Sequence, residues 1–120
     1  MRSKWIEFQG IKIFYQDFSN LFYNTAMVKA ELAEVQKVVK AQPLDSVRVL
    51  TDMRDTSVGS DLLPVMNAAS AATKAHVLKT AVLGVTGMKR KLADLLTALT
   101  GQQLKYFDDI EAAKRWLAED

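Results

Sequence analysis

Hydrophobic positions change period along this chain, and the changes divide it into elements. Residues 5–8 (Trp5-Ile6-Glu7-Phe8) and 11–18 (Ile11-Lys12-Ile13-Phe14-Tyr15-Gln16-Asp17-Phe18) are rich in β-branched and aromatic side chains. The Gln9-Gly10 pair between them suits a two-residue hairpin turn, so the two runs read as strands. Ser19-Asn20 supplies capping chemistry, and a helical period follows to about Ala41. Val28, Leu32, Val35 and Val39 recur at i, i+4, i+7 and i+11, while Lys29, Glu31, Glu34, Gln36, Lys37 and Lys40 lie off that stripe. Pro43 ends the helix, because the residue before a proline avoids helical geometry.

Val47-Arg48-Val49-Leu50-Thr51 reads as a strand, and a polar loop over residues 52–60 leads to a second helix over about 61–76. Pro64 then falls in the first turn, where a missing amide costs nothing. Alanines at 68, 69, 71, 72 and 75 let this helix approach a sheet closely. The run 80–85 (Thr80-Ala81-Val82-Leu83-Gly84-Val85) is nearly all apolar, as expected of a strand covered on both faces. Thr86-Gly87 turns the chain into a helix carrying Met88, Leu92, Leu95, Leu96 and Leu99, which Gly101 stops. Leu104-Lys105-Tyr106-Phe107 is a last strand. Asp108 or Asp109 caps a final helix with Ile110, Ala113, Trp116 and Leu117 inward. The order β-β-α-β-α-β-α-β-α predicts a single α/β domain over residues 1–120. Its sheet is mixed, mostly parallel and four- to five-stranded, with helices packed on it.

Composition narrows the function classes. The chain is 49% hydrophobic and 25% charged, the proportions of a globular domain with one core. It contains no cysteine, which excludes disulfides, thiolate metal sites and cysteine nucleophiles and suits a reducing, cytoplasmic setting. Its single histidine, His76, excludes a multi-histidine metal site; no metal and no cofactor is expected. No run approaches the roughly 18 apolar residues of a membrane span, and the first twelve residues lack a signal-peptide run. Residues 1–60 and 61–120 each carry 8 basic and 7 acidic side chains, so no basic excess points to nucleic acid.

Two segments stand out as candidate sites. The first is the loop holding Asp52, Asp55, Thr56, Ser57 and Ser60. Open α/β sheets bind ligands outside the carboxyl ends of parallel strands, and this loop falls there, leading into a helix amino terminus. A phosphoryl group or a partner fits that position. The plainer reading has Ser60 or Asp61 capping the helix and Asp52 ordering a turn. The second is a run of 32 residues, 62–93, with five cations (Lys74, Lys79, Lys89, Arg90, Lys91) and no acid. Lys89, Arg90 and Lys91 in a first helical turn oppose the helix dipole, so this turn, with Thr86 and Gly87, is a candidate anion- or partner-binding site or a solvated surface run. His76 reads as a helix-end residue interacting with the last carbonyls. Enzymatic chemistry finds little support: Gly-x-Ser-x-Gly and phosphate-loop patterns are absent, and a small hydrolase or transferase would rest on Asp52, Asp55 and Ser57 alone. Seven aromatics (Trp5, Phe8, Phe14, Tyr15, Phe18, Phe22, Tyr23) crowd the first 23 residues. Most of them suit a core, and any left exposed would support a partner or a homodimer.

Taken together, Trp5-Ile6-Glu7 with its hairpin, the segment from Val47 to Asp52, the segment from Ala81 to Gly87, Leu99-Thr100-Gly101, Tyr106-Phe107-Asp108 and the ending Ala112-Ala113-Lys114-Arg115-Trp116-Leu117 resemble the STAS-like group related to bacterial anti-sigma-factor antagonists. Within that group they resemble the small SpoIIAA-like domains. The resemblance covers nearly the whole chain. It implies a domain that binds a protein partner rather than catalysing a reaction. In antagonists, a serine at the start of the second helix, within Asp-Ser-Ser-Gly, is phosphorylated. Asp55-Thr56-Ser57-Val58 is similar and places Thr56 at the acceptor position, with threonine for serine, Val58 for glycine and a short loop before it. The group's affinity with CRAL-TRIO lipid-transfer domains implies an alternative, a carrier or sensor of a lipid or small anion, gripped at Lys89, Arg90 and Lys91.

Overall fold

The computed structural model describes residues 1–57, 59–84 and 103–119. Five strands, β1 (Lys4–Phe8), β2 (Ile11–Asp17), β3 (Val47–Asp52), β4 (Val77–Leu83) and β5 (Leu104–Phe107), form one sheet in the order β1-β2-β3-β4-β5. β1 pairs antiparallel with β2, and β2 through β5 run parallel. The hairpin turn puts Gln9 at φ 51° and Gly10 at φ 80°, the doubled left-handed geometry that matches the twist of paired strands. Helix α1 (Thr25–Lys40) connects β2 to β3, α2 (Leu63–Thr73) leads towards β4, and α3 (Ile110–Ala118) follows β5. The chain is thus an α/β domain with a five-stranded, mostly parallel mixed sheet, as the alternation of periods predicts.

Alternation along each strand supplies two cores. Phe14, Val47, Val49 and Val82 pack on one face with Val28, Leu32, Val35 and Val39 of α1 and Ala69 of α2. Ile13, Leu50, Ala81 and Leu83 pack on the other with Ala113 and Leu117 of α3. Neighbouring residues such as Ile13 and Phe14 therefore enter different cores, which is why these strands read as continuous apolar runs.

Three boundaries differ from the sequence expectation. Ser19 and Asn20 do not cap α1; Asn24 does, its side-chain oxygen accepting from the Met27 amide at 3.2 Å. The five residues before Asn24 instead continue alongside the strand β3 exit, and positive φ at Asn20 (56°) and Phe22 (50°) breaks any helical path. Helix α2 begins at Leu63 rather than 61, with Pro64 in its first turn. Leu62 turns inward, 1% exposed, and its amide and that of Leu63 bond to the Gly59 carbonyl, leaving Ser60 and Asp61 exposed and outside the cap. The helix also ends early, at Thr73, with a 3₁₀ turn over Lys74–His76, so β4 starts at Val77 instead of 80. His76 ends that turn, but its ring Nδ1 lies 2.8 Å from the Gln42 carbonyl, beyond the end of α1. At α3 the cap is Asp109, accepting from the amides of Glu111 and Ala112.

Lys79, one of the five cations of the acid-free span 62–93, is buried. It is 8% exposed; its Nζ donates to the carbonyls of Trp116 and Glu119 at 2.9 Å and lies 4.7 Å from the Trp116 ring centre. Arg48 adds a bond to the Leu117 carbonyl at 2.9 Å. Two cations thus satisfy carbonyls at the negative end of α3. The helix predicted to carry Met88, Leu92, Leu95, Leu96 and Leu99, the predicted turn with Thr86, Gly87, Lys89, Arg90 and Lys91, Val58 and Gly101 lie outside the described residues.

Candidate functional site

The carboxyl ends of β2, β3, β4 and β5 finish level, with Asp17, Asp52, Leu83 and Phe107 in register. The loop after β3 leaves from this edge, as parallel-strand topology requires. Asp52, its first residue, has no exposed surface. Its carboxylate accepts from Tyr15 Oη at 2.6 Å, from Arg54 Nε at 2.9 Å and Nη2 at 2.7 Å, and from the Arg54 amide at 3.1 Å. Tyr15 reaches it because Tyr15 and Asp17 share a sheet face, and Asp17 stands opposite Asp52. Burial alone would raise the Asp52 pKa, but the bonds from Arg54 and Tyr15 outweigh it and hold the carboxyl below its usual range. Burial, reinforced by the bond to Asp52, pushes the Tyr15 phenol up to about 12. Arg54 keeps 48% of its side chain in solvent.

Gly84 closes this corner. It sits at φ 81°, and a Cβ there would lie 2.6 Å from the Arg54 Cα and amide nitrogen, so β4 leaves the sheet in direct backbone contact with the loop. The Met53 amide bonds to the Leu83 carbonyl at 2.9 Å. Asp17 orders the β2 exit, accepting from the Ser19 amide at 3.0 Å, Ser19 Oγ at 2.6 Å and Arg2 Nη2 at 3.4 Å.

The remaining loop residues divide by direction. Asp55 is exposed at φ 58°, Ser60 is exposed, and Ser57 is half-buried. Thr56 points inward and is 1% exposed; its hydroxyl donates to the Phe18 carbonyl and accepts from the Leu21 amide at 3.0 Å. The loop and the β2–α1 connection run side by side, joined by Phe18 N to Asp52 O (3.0 Å), Asn20 N to Arg54 O (2.8 Å), Phe22 N to Asp55 O (2.9 Å) and Ser57 N to Phe22 O (2.7 Å). Phe22 and Tyr23 project from this paired segment 59% and 86% exposed, and Met27, one helical turn on, is 46% exposed. An open groove of about 260 Å³ adjoins Met27, lined also by Met1, Arg2, Ala30, Glu31 and Glu34.

Chemically, the edge is suited to recognition. The carboxylate of Asp52 is fully engaged, leaving a hydrolase built on Asp52, Asp55 and Ser57 without a free base at Asp52. Among the described residues no three His, Asp or Glu side chains gather to hold a metal ion. Sequence reading located the loop but missed two features. Arg54 as a partner of Asp52 was signalled by the Asp-x-Arg at a strand end, whereas Tyr15 meets Asp52 only through the register of β2 on β3. Phe22 and Tyr23, grouped with core aromatics, could have been separated by their place between Asn20 and Asn24, two residues suited to turns and caps.

No curated protein matches the chain. A family model described as SpoIIAA-like matches residues 19–118, a span that begins after β2 and takes in the loop after β3 and all three described helices. The chain belongs to the SpoIIAA-like family.

Proposed function

We propose that the protein is a non-enzymatic regulatory module, acting in the cytoplasm, that binds another protein through the edge formed by the loop 52–61 and the Phe22–Tyr23 segment. One observation carries the reading: two adjacent aromatic residues stand in solvent on backbone that hydrogen bonds hold rigid. Tyr23 precedes the Asn24 cap, where a hydrophobic residue usually packs back onto the fourth helical residue, here Val28. Val28 is 1% exposed and Tyr23 86%, so Tyr23 serves no such packing role. Preformed aromatic anchors are what protein interfaces use as their strongest contacts. Membership of the SpoIIAA-like family supports a regulatory domain of the anti-sigma-factor-antagonist type.

The test is quantitative affinity capture from the source cell with the wild-type chain and a Phe22→Ser, Tyr23→Ser double variant. A protein recovered at least tenfold less with the variant, at unchanged circular dichroism, supports the reading. Equal recovery, or native mass spectrometry showing a lipid or small anion as the only companion, overturns it in favour of a carrier.

A further inference from the structure

We propose that Thr56 is a fixed clasp, not a modification acceptor, and that it holds the Phe22–Tyr23 pair permanently in its presented position. This rests on reading that edge as the protein-binding surface and adds how the surface is regulated: recognition is constitutive, without a switch at Thr56.

Thr56 lies where the resemblance to antagonists would place a phosphoryl group. For a hydroxyl to accept one, its oxygen must face solvent and be free to attack phosphorus. Thr56 Oγ1 is neither. Its proton is directed to the Phe18 carbonyl, its lone pair takes the Leu21 amide, and the residue is 1% exposed between Phe18 (1%) and Leu21 (7%). A phosphoryl group there would carry nearly two negative charges into an apolar packing layer and set them against a carbonyl oxygen.

The same hydroxyl sits at the centre of the rungs that join the two connections, and Phe22 and Thr56 form an isolated parallel bridge. Three residues in those connections, Asn20, Phe22 and Asp55, are held at φ between 50° and 60°. For a bulky residue such as Phe22 this is an outlier that persists only while its surroundings over-determine it. Releasing the Thr56 hydroxyl removes its bonds to the Phe18 carbonyl and the Leu21 amide and lets Phe22, next in the chain, relax, which turns its ring away from its present direction. Thr56 is therefore a positioning residue: it is buried behind the exposed edge, and it sets where the aromatic pair stands.

The experiment compares wild type, Thr56→Val and Thr56→Ser by hydrogen exchange of residues 18–24 and 52–57. Valine keeps the shape but leaves the Leu21 amide without its acceptor, so exchange there should rise roughly tenfold or more. Serine keeps the hydroxyl and should restore wild-type protection. In parallel, folded wild-type protein and a peptide spanning residues 50–62 are incubated with a promiscuous Ser/Thr kinase and ATP. Phosphate on Thr56 of the peptide but not of the folded protein is the expected outcome. Stoichiometric phosphate on Thr56 of the folded protein, or unchanged exchange in Thr56→Val, overturns the clasp. The exchange and kinase arms need no partner. Faster exchange in Thr56→Val alongside undiminished capture by the Phe22, Tyr23 double variant would refute the docking reading and leave the clasp standing.

Discussion

Replacing Asp52 by asparagine removes one charge from a carboxylate with no exposed surface and four hydrogen bonds. Asparagine keeps the shape, but its NH₂ group must face donors from Tyr15 or Arg54. A hydrogen bond to a charged group contributes about 1.5–3 kcal/mol, which sets the share of the Tyr15 bond. The Arg54 share is smaller: 48% of its side chain is in solvent, so its attraction is screened towards the roughly 1 kcal/mol of an exposed pair. Asp52→Asn should therefore lose about 3 kcal/mol at pH 7, or roughly 10 °C in Tm. The carboxyl titrates below its usual range when folded. Its contribution is thus complete above the unfolded-state pKa of about 3.9 and fades as pH falls through the lower folded value. Urea denaturation at pH 7, 5 and 2.5 should show the full gap between wild type and variant at the first two and a much reduced gap at the last. Other carboxylates, Glu31 among them, are common to both proteins and cancel in the difference. A gap under about 1 kcal/mol at pH 7, or one independent of pH, would refute the account of Asp52 as a charged, bonded pivot.

Three further outcomes follow from the same contacts. In alkaline difference spectroscopy Tyr15 should give an ionisation step near 12, and Tyr15→Phe should lack that step. Because its folded pKa is raised, its stabilising contribution is present below about pH 10 and lost as pH rises through the folded value, and Asp52→Asn should move the step earlier. Gly84→Ala combines a left-handed backbone with a Cβ 2.6 Å from Arg54 Cα, so its urea midpoint should fall by more than about 2 kcal/mol equivalent, whereas a neutral result would contradict the close approach. Lys79→Met keeps the buried stem and removes the donors to Trp116 and Glu119, which should cost about 2 kcal/mol and speed amide exchange near the end of α3.

Period and turn chemistry made the fold readable. The stripe Val28, Leu32, Val35, Val39 is buried along its whole length, and Gln9-Gly10 forms the turn its composition suggests. Boundaries misread at α1 and α2 have separate causes: at α1 the capping signals of Ser19 and Asn20 are taken by other partners, and at α2 the Gly59 carbonyl takes the Leu62 and Leu63 amides and leaves Ser60 and Asp61 outside the cap. Ser19 is held by Asp17, and Asn20 by the Arg54 carbonyl across the sheet edge. No local pattern encodes which loop will lie beside which strand exit. The same limit hid the Tyr15–Asp52 bond, which spans 37 positions in sequence and exists only through the register of β2 on β3. Charge counting along the chain likewise grouped Lys79 with the other cations of the acid-free span, because a tally cannot show that a cation finishes a helix more than thirty residues later.

The Gln9–Gly10 turn stands at the opposite end of β2 from Asp17, a seven-residue strand away and therefore roughly 20 Å from the candidate edge. Gln9 is exposed, and the chain has no cysteine of its own. A Gln9→Cys variant would thus carry a single thiol on the far side of the molecule. A dye attached there could report on association, or a surface hold the protein, with Phe22, Tyr23 and the loop after β3 left facing outward.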